Sequence, residues 1–150
     1  MDKLKNELHD ELTQNIMPFW LNKMVDHRHG GFLGRIDGHG NPVPDAEKGA
    51  VLNARILWAF AAAYRVLGKP EYLEAATRAK DYFMAHFIDQ QEGGVFWSLD
   101  AQGRPLDTKK QTYALGFAIY GLSEYARATG DEVALQQAKD LCYCIERYAF

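Results

Sequence analysis

The stretch DHRHGGFLGRIDGHGNP, Asp26 to Pro42, returns as DQQEGGVFWSLDAQGRP, Asp89 to Pro105, 63 residues further along. Asp26, Gly30, Gly31, Asp37, Gly40 and Pro42 fall on Asp89, Gly93, Gly94, Asp100, Gly103 and Pro105, which defines the pattern D-x3-G-G-x5-D-x2-G-x-P. After a slip to 62, Asp45 and Lys48 meet Asp107 and Lys110, and Arg65 and Gly68 meet Arg127 and Gly130. Glycine, aspartate and proline at such places are turn chemistry. Between them Phe32 and Ile36, or Phe96, Ser98 and Asp100, alternate as in a short hairpin-like loop. Two or three such matches arise by chance; the whole set in register marks an internal repeat.

Working outward from the loops, the spacing predicts helices. One covers about residues 3–25. A second runs from Lys48 to Leu67 and stops at Gly68. Pro70, at a helix start, opens a third that reaches about Phe87. A fourth covers 110–128 and ends at Gly130, and Asp131 caps a fifth that reaches about Tyr148. No stretch outside the loops alternates long enough for a sheet, so the expectation is an all-α chain with short β-like loops.

The helices are of two kinds. AVLNARILWAFAAAY (Ala50 to Tyr64) is apolar nearly all round, and so is most of YALGFAIYGLSEYA (Tyr113 to Ala126). Such helices are expected to be buried on every side. EYLEAATRAKDYFMAHF and EVALQQAKDLCYCIERY carry one apolar stripe and one charged face, as outer helices do. The first helix, with Leu4, Leu8, Leu12, Ile16, Phe19 and Trp20, reads as another outer one. Inner and outer helices in a repeat of about 62 residues describe part of an (α/α)6 toroid, which closes with about six pairs, roughly 370 residues. Residues 1–150 supply about two and a half pairs. The expectation is the N-terminal part of a single barrel domain, incomplete by itself, with a third loop due near position 150.

Composition narrows the function classes. An apolar share of 47% is too high for disorder, and 2 cysteines are too few for a disulfide scaffold. A formal charge of −3 gives no footprint for nucleic acid or an anionic membrane, so neither is an expected partner. No run of about 18 apolar residues between polar flanks suggests a bilayer span. The polar, acidic N-terminus reads as neither signal nor transit peptide, which makes the cytoplasm the expected compartment.

Arg55 is the most informative residue. Ala54, Ile56, Leu57 and Trp58 surround it in the inner helix. An unpaired buried guanidinium costs on the order of several kcal/mol. It must therefore meet a loop acid such as Asp37 or Asp100, or line a cavity and grip ligand oxygens. Asn53 reads as a structural hydrogen-bonder. Tyr113 opens the other inner helix at the loop end, either as a core aromatic or as a ring for a sugar. Trp58, Phe60, Phe117 and Tyr120 read as packing, and Trp97 as loop filler. His27 and His29 beside Asp26 lack the further ligands of a metal site. His9, His39 and His86 read as surface residues. Cys142 and Cys144 fit no redox or zinc spacing and read as reduced packing residues. The Gly-Gly pairs lack a phosphate-loop context. No metal or cofactor is expected. Asp37 and Asp100 recur with the repeat, which points to a structural loop role.

KGAVLNARILWAFAAAYR (Lys48 to Arg65) and KKQTYALGFAIYGLSEYARATGD (Lys109 to Asp131), read with GGFLGRID and GGVFWSLD, resemble the N-acylglucosamine 2-epimerase family. The resemblance covers essentially the whole chain. It is closer to the cellobiose 2-epimerase branch, because the N-acylglucosamine branch has a different motif around the inner-helix arginine. It implies an (α/α)6 barrel and an isomerase of carbohydrate metabolism, a sugar epimerase that acts at C2 of a reducing aldose. A base removes the C2 proton of the ring-opened sugar, and a second group returns one to the opposite face of the enediolate. A glucose-type end thereby becomes a mannose-type end. The resemblance maps a catalytic and substrate-binding arginine onto Arg55 and a substrate-binding tyrosine onto Tyr113. In the family both proton carriers are histidines of later inner helices, and none of the five histidines here matches them. The 150-residue chain alone is therefore expected to be inactive. Two other classes compete: an (α/α)6 glycoside hydrolase or lyase, for which Glu124 is the one acid of interest, and a non-enzymatic helical interaction module.

Overall fold

A computed structural model describes residues 2–149. The chain opens with α1 (Asp2–Asp10), a π-helical stretch (Glu11–Ile16) and α2 (Met17–Lys23), which join end to end. The first Gly-Gly loop follows, then β1 (Lys48–Gly49) and α3 (Ala50–Leu67). Gly68 ends α3 in the left-handed conformation, φ 69°. Next come α4 (Pro70–Tyr82), a π turn (Phe83–Phe87), and the second loop with β2 (Ser98–Leu99) and β3 (Pro105–Asp107). The last elements are α5 (Thr112–Thr129) and α6 (Glu132–Ala149). The Asp131 carboxylate accepts from Ala134 N at 2.9 Å, the expected cap.

α3 and α5 pack on each other, α4 backs α3, and α6 backs α5. The outer helices are amphipathic as expected. Tyr72, Ala75, Ala76, Ala79 and Tyr82 form the buried stripe of α4, at i, i+3, i+4 and i+7 spacing. Ala134, Ala138 and Leu141 do the same for α6. Phe60 of α3 stacks on Phe32 of the first loop, centroids 5.8 Å apart, and meets Tyr72 of α4 at 6.2 Å. One aromatic seam thus joins loop, inner helix and outer helix.

The repeat is a repeat of structure. Val25 bridges Phe32 as Ile88 bridges Val95. Ile36 bridges Pro42 as Leu99 pairs with Pro105. Asp26 Oδ1 accepts from the backbone of Arg28 and His29, and Asp89 Oδ1 from Gln91 and Glu92. Asp37 and Asp100 each fold their own loop over a carboxylate, accepting backbone N–H groups from His39 and Asn41, or from Gln102 and Arg104.

The structure corrects the sequence reading in places. A three-stranded antiparallel sheet forms, order β1-β2-β3, with Lys48 opposite Leu99 and Gly49 opposite Ser98. It joins two repeats, which residue alternation inside one loop does not disclose. Lys48 therefore belongs to a strand, and α3 begins at Ala50. The inner helices are not buried all round: Arg55, Tyr113 and Tyr120 are exposed. By length and hydropathy alone Ala50–Leu67 is long and apolar enough to cross a membrane, a test that core helices also pass. Its apolarity suits a core helix flanked by α4 and α5.

Candidate functional site

α3 and α5 start side by side at the loop end, and an open cavity of about 1160 Å³ lies against their free faces. Arg55 and Tyr113, the two residues singled out from sequence, both line it. Arg55 sits on the second turn of α3, exposed, with its guanidinium 5.8 Å from the Phe117 ring centroid. It makes no ion pair with the acids weighed against it. Asp37 is taken up by Asn41, and Asp100 by Arg104 at 2.7 Å. Tyr113 is 62% exposed and meets Phe117 edge-on, centroids 5.0 Å apart. The guanidinium and the phenol therefore face the same space, beside one shared aromatic ring.

Trp58 and Tyr120, expected as packing, border this cavity too, with rings stacked 4.8 Å apart at 12°. Ile16, Met17 and Trp20 bring the first helix to the cavity edge, although its one-sided pattern read as purely outer. The wall is thus apolar and rich in aromatic rings, with Arg55 as its one cation. An aromatic platform binds the C–H faces of a sugar, and a guanidinium binds its oxygens.

The remaining candidates lie elsewhere. Asn53 is buried and donates to Gly49 O at 2.9 Å, as read. Glu124, the acid of interest for a hydrolase, is buried, bonded to Arg65 Nε, and does not line the cavity. Trp97 is capped by Lys109 Nζ, 4.9 Å from its ring. Among the described residues no cluster of three metal-binding side chains occurs. His86 is not a surface residue: half-buried, its Nδ1 lies 3.0 Å from Gly103 O, and its ring packs on Tyr82 at 4.4 Å. Cys142 is exposed, which corrects its reading as a packing residue, and Cys144 is half-buried.

Sequence reasoning missed the most buried charge. Lys48 is fully buried and donates from Nζ to Asp26 Oδ2 at 2.7 Å and to Gly30 O at 2.8 Å. The Tyr82 ring lies 4.5 Å from the same ammonium. Burial alone would raise the Asp26 pKa, but Lys48 and two backbone N–H groups outweigh it and hold the carboxyl below its ordinary value. Burial, with the charges of Asp26 and Asp100, pushes the Tyr82 phenol up to about 12. The signal was in the repeat: Lys48 and Lys110 recur with Asp26 and Asp89, and Lys110 Nζ reaches Asp89 Oδ2 at 2.6 Å.

Helix pairs in a ring-forming repeat, with a cationic and aromatic inner wall, define the class. A sequence model of the N-acylglucosamine 2-epimerase (GlcNAc 2-epimerase) family matches residues 31–149, and the chain belongs to that family. The cellobiose 2-epimerase of Bacteroides fragilis is 58% identical over 98% of this chain. That of Ruminococcus albus is 44% identical over 95%. Among solved structures, cellobiose 2-epimerase from Bacillus thermoamylovorans superposes with a TM-score of 0.95 at 41% identity, over 97% of this chain. The fold is accordingly that of an (α/α)6 barrel. The chain spans only 38%, 36% and 37% of those three proteins.

Proposed function

We propose that this chain is the N-terminal part of a single (α/α)6 domain in a cytoplasmic sugar 2-epimerase of carbohydrate metabolism. The substrate is a free reducing sugar, cellobiose by likeness to the named relatives, and the product is glucosylmannose. The observation that carries the reading is Arg55, a guanidinium with no carboxylate partner among the described residues, exposed in an aromatic-walled cavity beside Tyr113. The free thiols of Cys142 and Cys144 suit a reducing compartment.

The chemistry follows from charge. When a base takes the C2 proton of the open-chain aldose, the electron pair spreads onto the C1 oxygen as an enediolate. A fixed guanidinium stabilises that charge at little reorganisation cost. Return of a proton to the opposite face of C2 completes the inversion with no net change in composition. Arg55 serves as the electrostatic catalytic group, and Tyr113 holds the sugar by ring contact or through its hydroxyl. None of the five histidines lines this cavity. The proton carriers therefore belong to inner helices outside residues 1–150, and this segment alone is inactive.

The test is Arg55→Ala in the full-length protein, with cellobiose as substrate and the glucosylmannose product measured. A loss of about 100-fold or more in kcat, with an unchanged circular dichroism spectrum, is expected. Tyr113→Phe should cost less, mainly in KM. Near-wild-type turnover by Arg55→Ala would remove Arg55 from the mechanism.

A further inference from the structure

Two pairs of residues stand at the same place in successive repeats and meet across the inner helices. Arg55 of α3 and Phe117 of α5 are 62 residues apart, and so are Trp58 and Tyr120. The Arg55 guanidinium lies over the Phe117 ring, 5.8 Å from its centroid. One turn along, Trp58 stacks on Tyr120 at 4.8 Å. Phe117 is in turn held within its own helix. Tyr113 meets it at 5.0 Å and 73°, and Tyr120 at 6.3 Å and 86°. Two edge-on neighbours fix the plane of the ring whose face carries the guanidinium.

α3 holds a second arginine in a different way. Arg65, at the far end of the helix, pairs with the Glu124 carboxylate of α5. Arg55, near the loop end, receives a ring from the same helix and has no carboxylate partner among the described residues. The two arrangements differ in chemistry. A carboxylate holds a guanidinium and cancels its charge. A ring attracts the cation through its quadrupole and carries no net charge, so the field of Arg55 stays available to an oxyanion. The ring also keeps water off one face of the guanidinium, and attraction to a developing charge strengthens as water is excluded.

We propose that Phe117 is the positioning residue for Arg55. Its ring face orients the guanidinium at the cavity wall without neutralising it, and turnover depends on the electron density of that ring. Phe117 acts through Arg55 rather than on the sugar, so the inference rests on the reading of Arg55 as the group that stabilises the enediolate. A packing phenylalanine tolerates leucine; a ring that holds a cation does not.

The test uses the full-length protein with cellobiose as substrate. Phenylalanines bearing one, two and three fluorines at position 117 keep nearly the same size and withdraw electron density from the ring face step by step. kcat should fall with each fluorine, to about one tenth at three, while KM and Tm stay nearly flat. Phe117→Leu should lose at least as much, and Phe117→Tyr should keep most of the activity. A readout without turnover is the Nε–H proton resonance of Arg55, assigned by its loss in Arg55→Lys. The ring current of Phe117 should hold it upfield, and Phe117→Leu should return it toward the position of a free arginine. A flat fluorine series beside an inactive Arg55→Ala would overturn the inference and leave the epimerase reading standing. So would wild-type turnover by Phe117→Leu, an Arg55 resonance indifferent to that change, or a fall in kcat matched by a fall in Tm along the fluorine series. Wild-type turnover by Arg55→Ala would sink the reading of the site itself, and this inference with it.

Discussion

Lys48 Nζ donates to Asp26 Oδ2 at 2.7 Å, and neither side chain is more than 3% exposed. The pair ties the first Gly-Gly loop to β1, two residues before α3 begins. It thereby fixes where the inner helix starts and how Arg55, two turns on, is presented. Removing one partner leaves a buried charge without its counter-ion, at about 3–5 kcal/mol. Lys48→Ala and Asp26→Ala should each lower the urea midpoint strongly. Lys110→Ala should do so less, because Lys110 is 32% exposed. Equal losses at Lys48 and Lys110 would contradict this ranking.

Acid should melt the loops before the helix cores. Asp89 is held at about 2 by its bond from Lys110 and the N–H groups of Glu92 and Gln91. A carboxylate depressed in the folded state stabilises above its unfolded pKa, here 3.8, and loses that contribution as pH falls toward 2. Asp26 acts in the same direction. Tm should therefore be flat above about pH 5 and fall steeply between about pH 4 and pH 2. Asp89→Asn should flatten part of that slope; an unchanged slope would argue against the pair.

Two glycines of the Gly-Gly loops, Gly31 and Gly93, should differ in their tolerance of alanine. Gly31 has φ 63°, and a Cβ there would sit 2.6 Å from Tyr82 Cγ. Gly93 has φ 74°, but nothing lies within 4 Å of its added Cβ. Gly93→Ala should cost about 1–2 kcal/mol of left-handed strain. Gly31→Ala should cost more, since the ring and the chain cannot both stay in place. Guanidinium unfolding of the two variants gives the comparison, and a reversed order would refute it.

Gly121→Ala should loosen the inner layer. The added methyl meets Ala54 O at 2.6 Å, and a carbonyl inside a helix cannot retreat. Overpacking of this kind costs about 1–3 kcal/mol. Because the cavity wall comes from both helices, the distance between Arg55 and Tyr113 should change with it. Sugar binding by the full-length variant, followed by calorimetry, should weaken in step with stability.

Much of this molecule is legible without coordinates. The helix boundaries follow from Gly68, Pro70, Gly130 and Asp131, because a left-handed residue, a missing N–H and a side-chain cap act locally. The layering follows from one-sided against all-round apolar patterns, since burial selects residue type. Arg55 was visible because a guanidinium is costly inside an apolar helix.

Tertiary structure decided the rest. Whether Arg55 met Asp37, Asp100 or open space depended on where two distant loops lie. Both acids turned out to fold their own loops instead. The pairing of β1 with β2 and the ion pair of Arg65 with Glu124 join residues about 50 to 60 positions apart, and no local preference encodes which groups meet. Composition, periodicity and repeat set what each segment is. Only packing of one repeat on the next determined that Arg55 and Tyr113 share a cavity, because that contact exists only once α3 and α5 lie side by side.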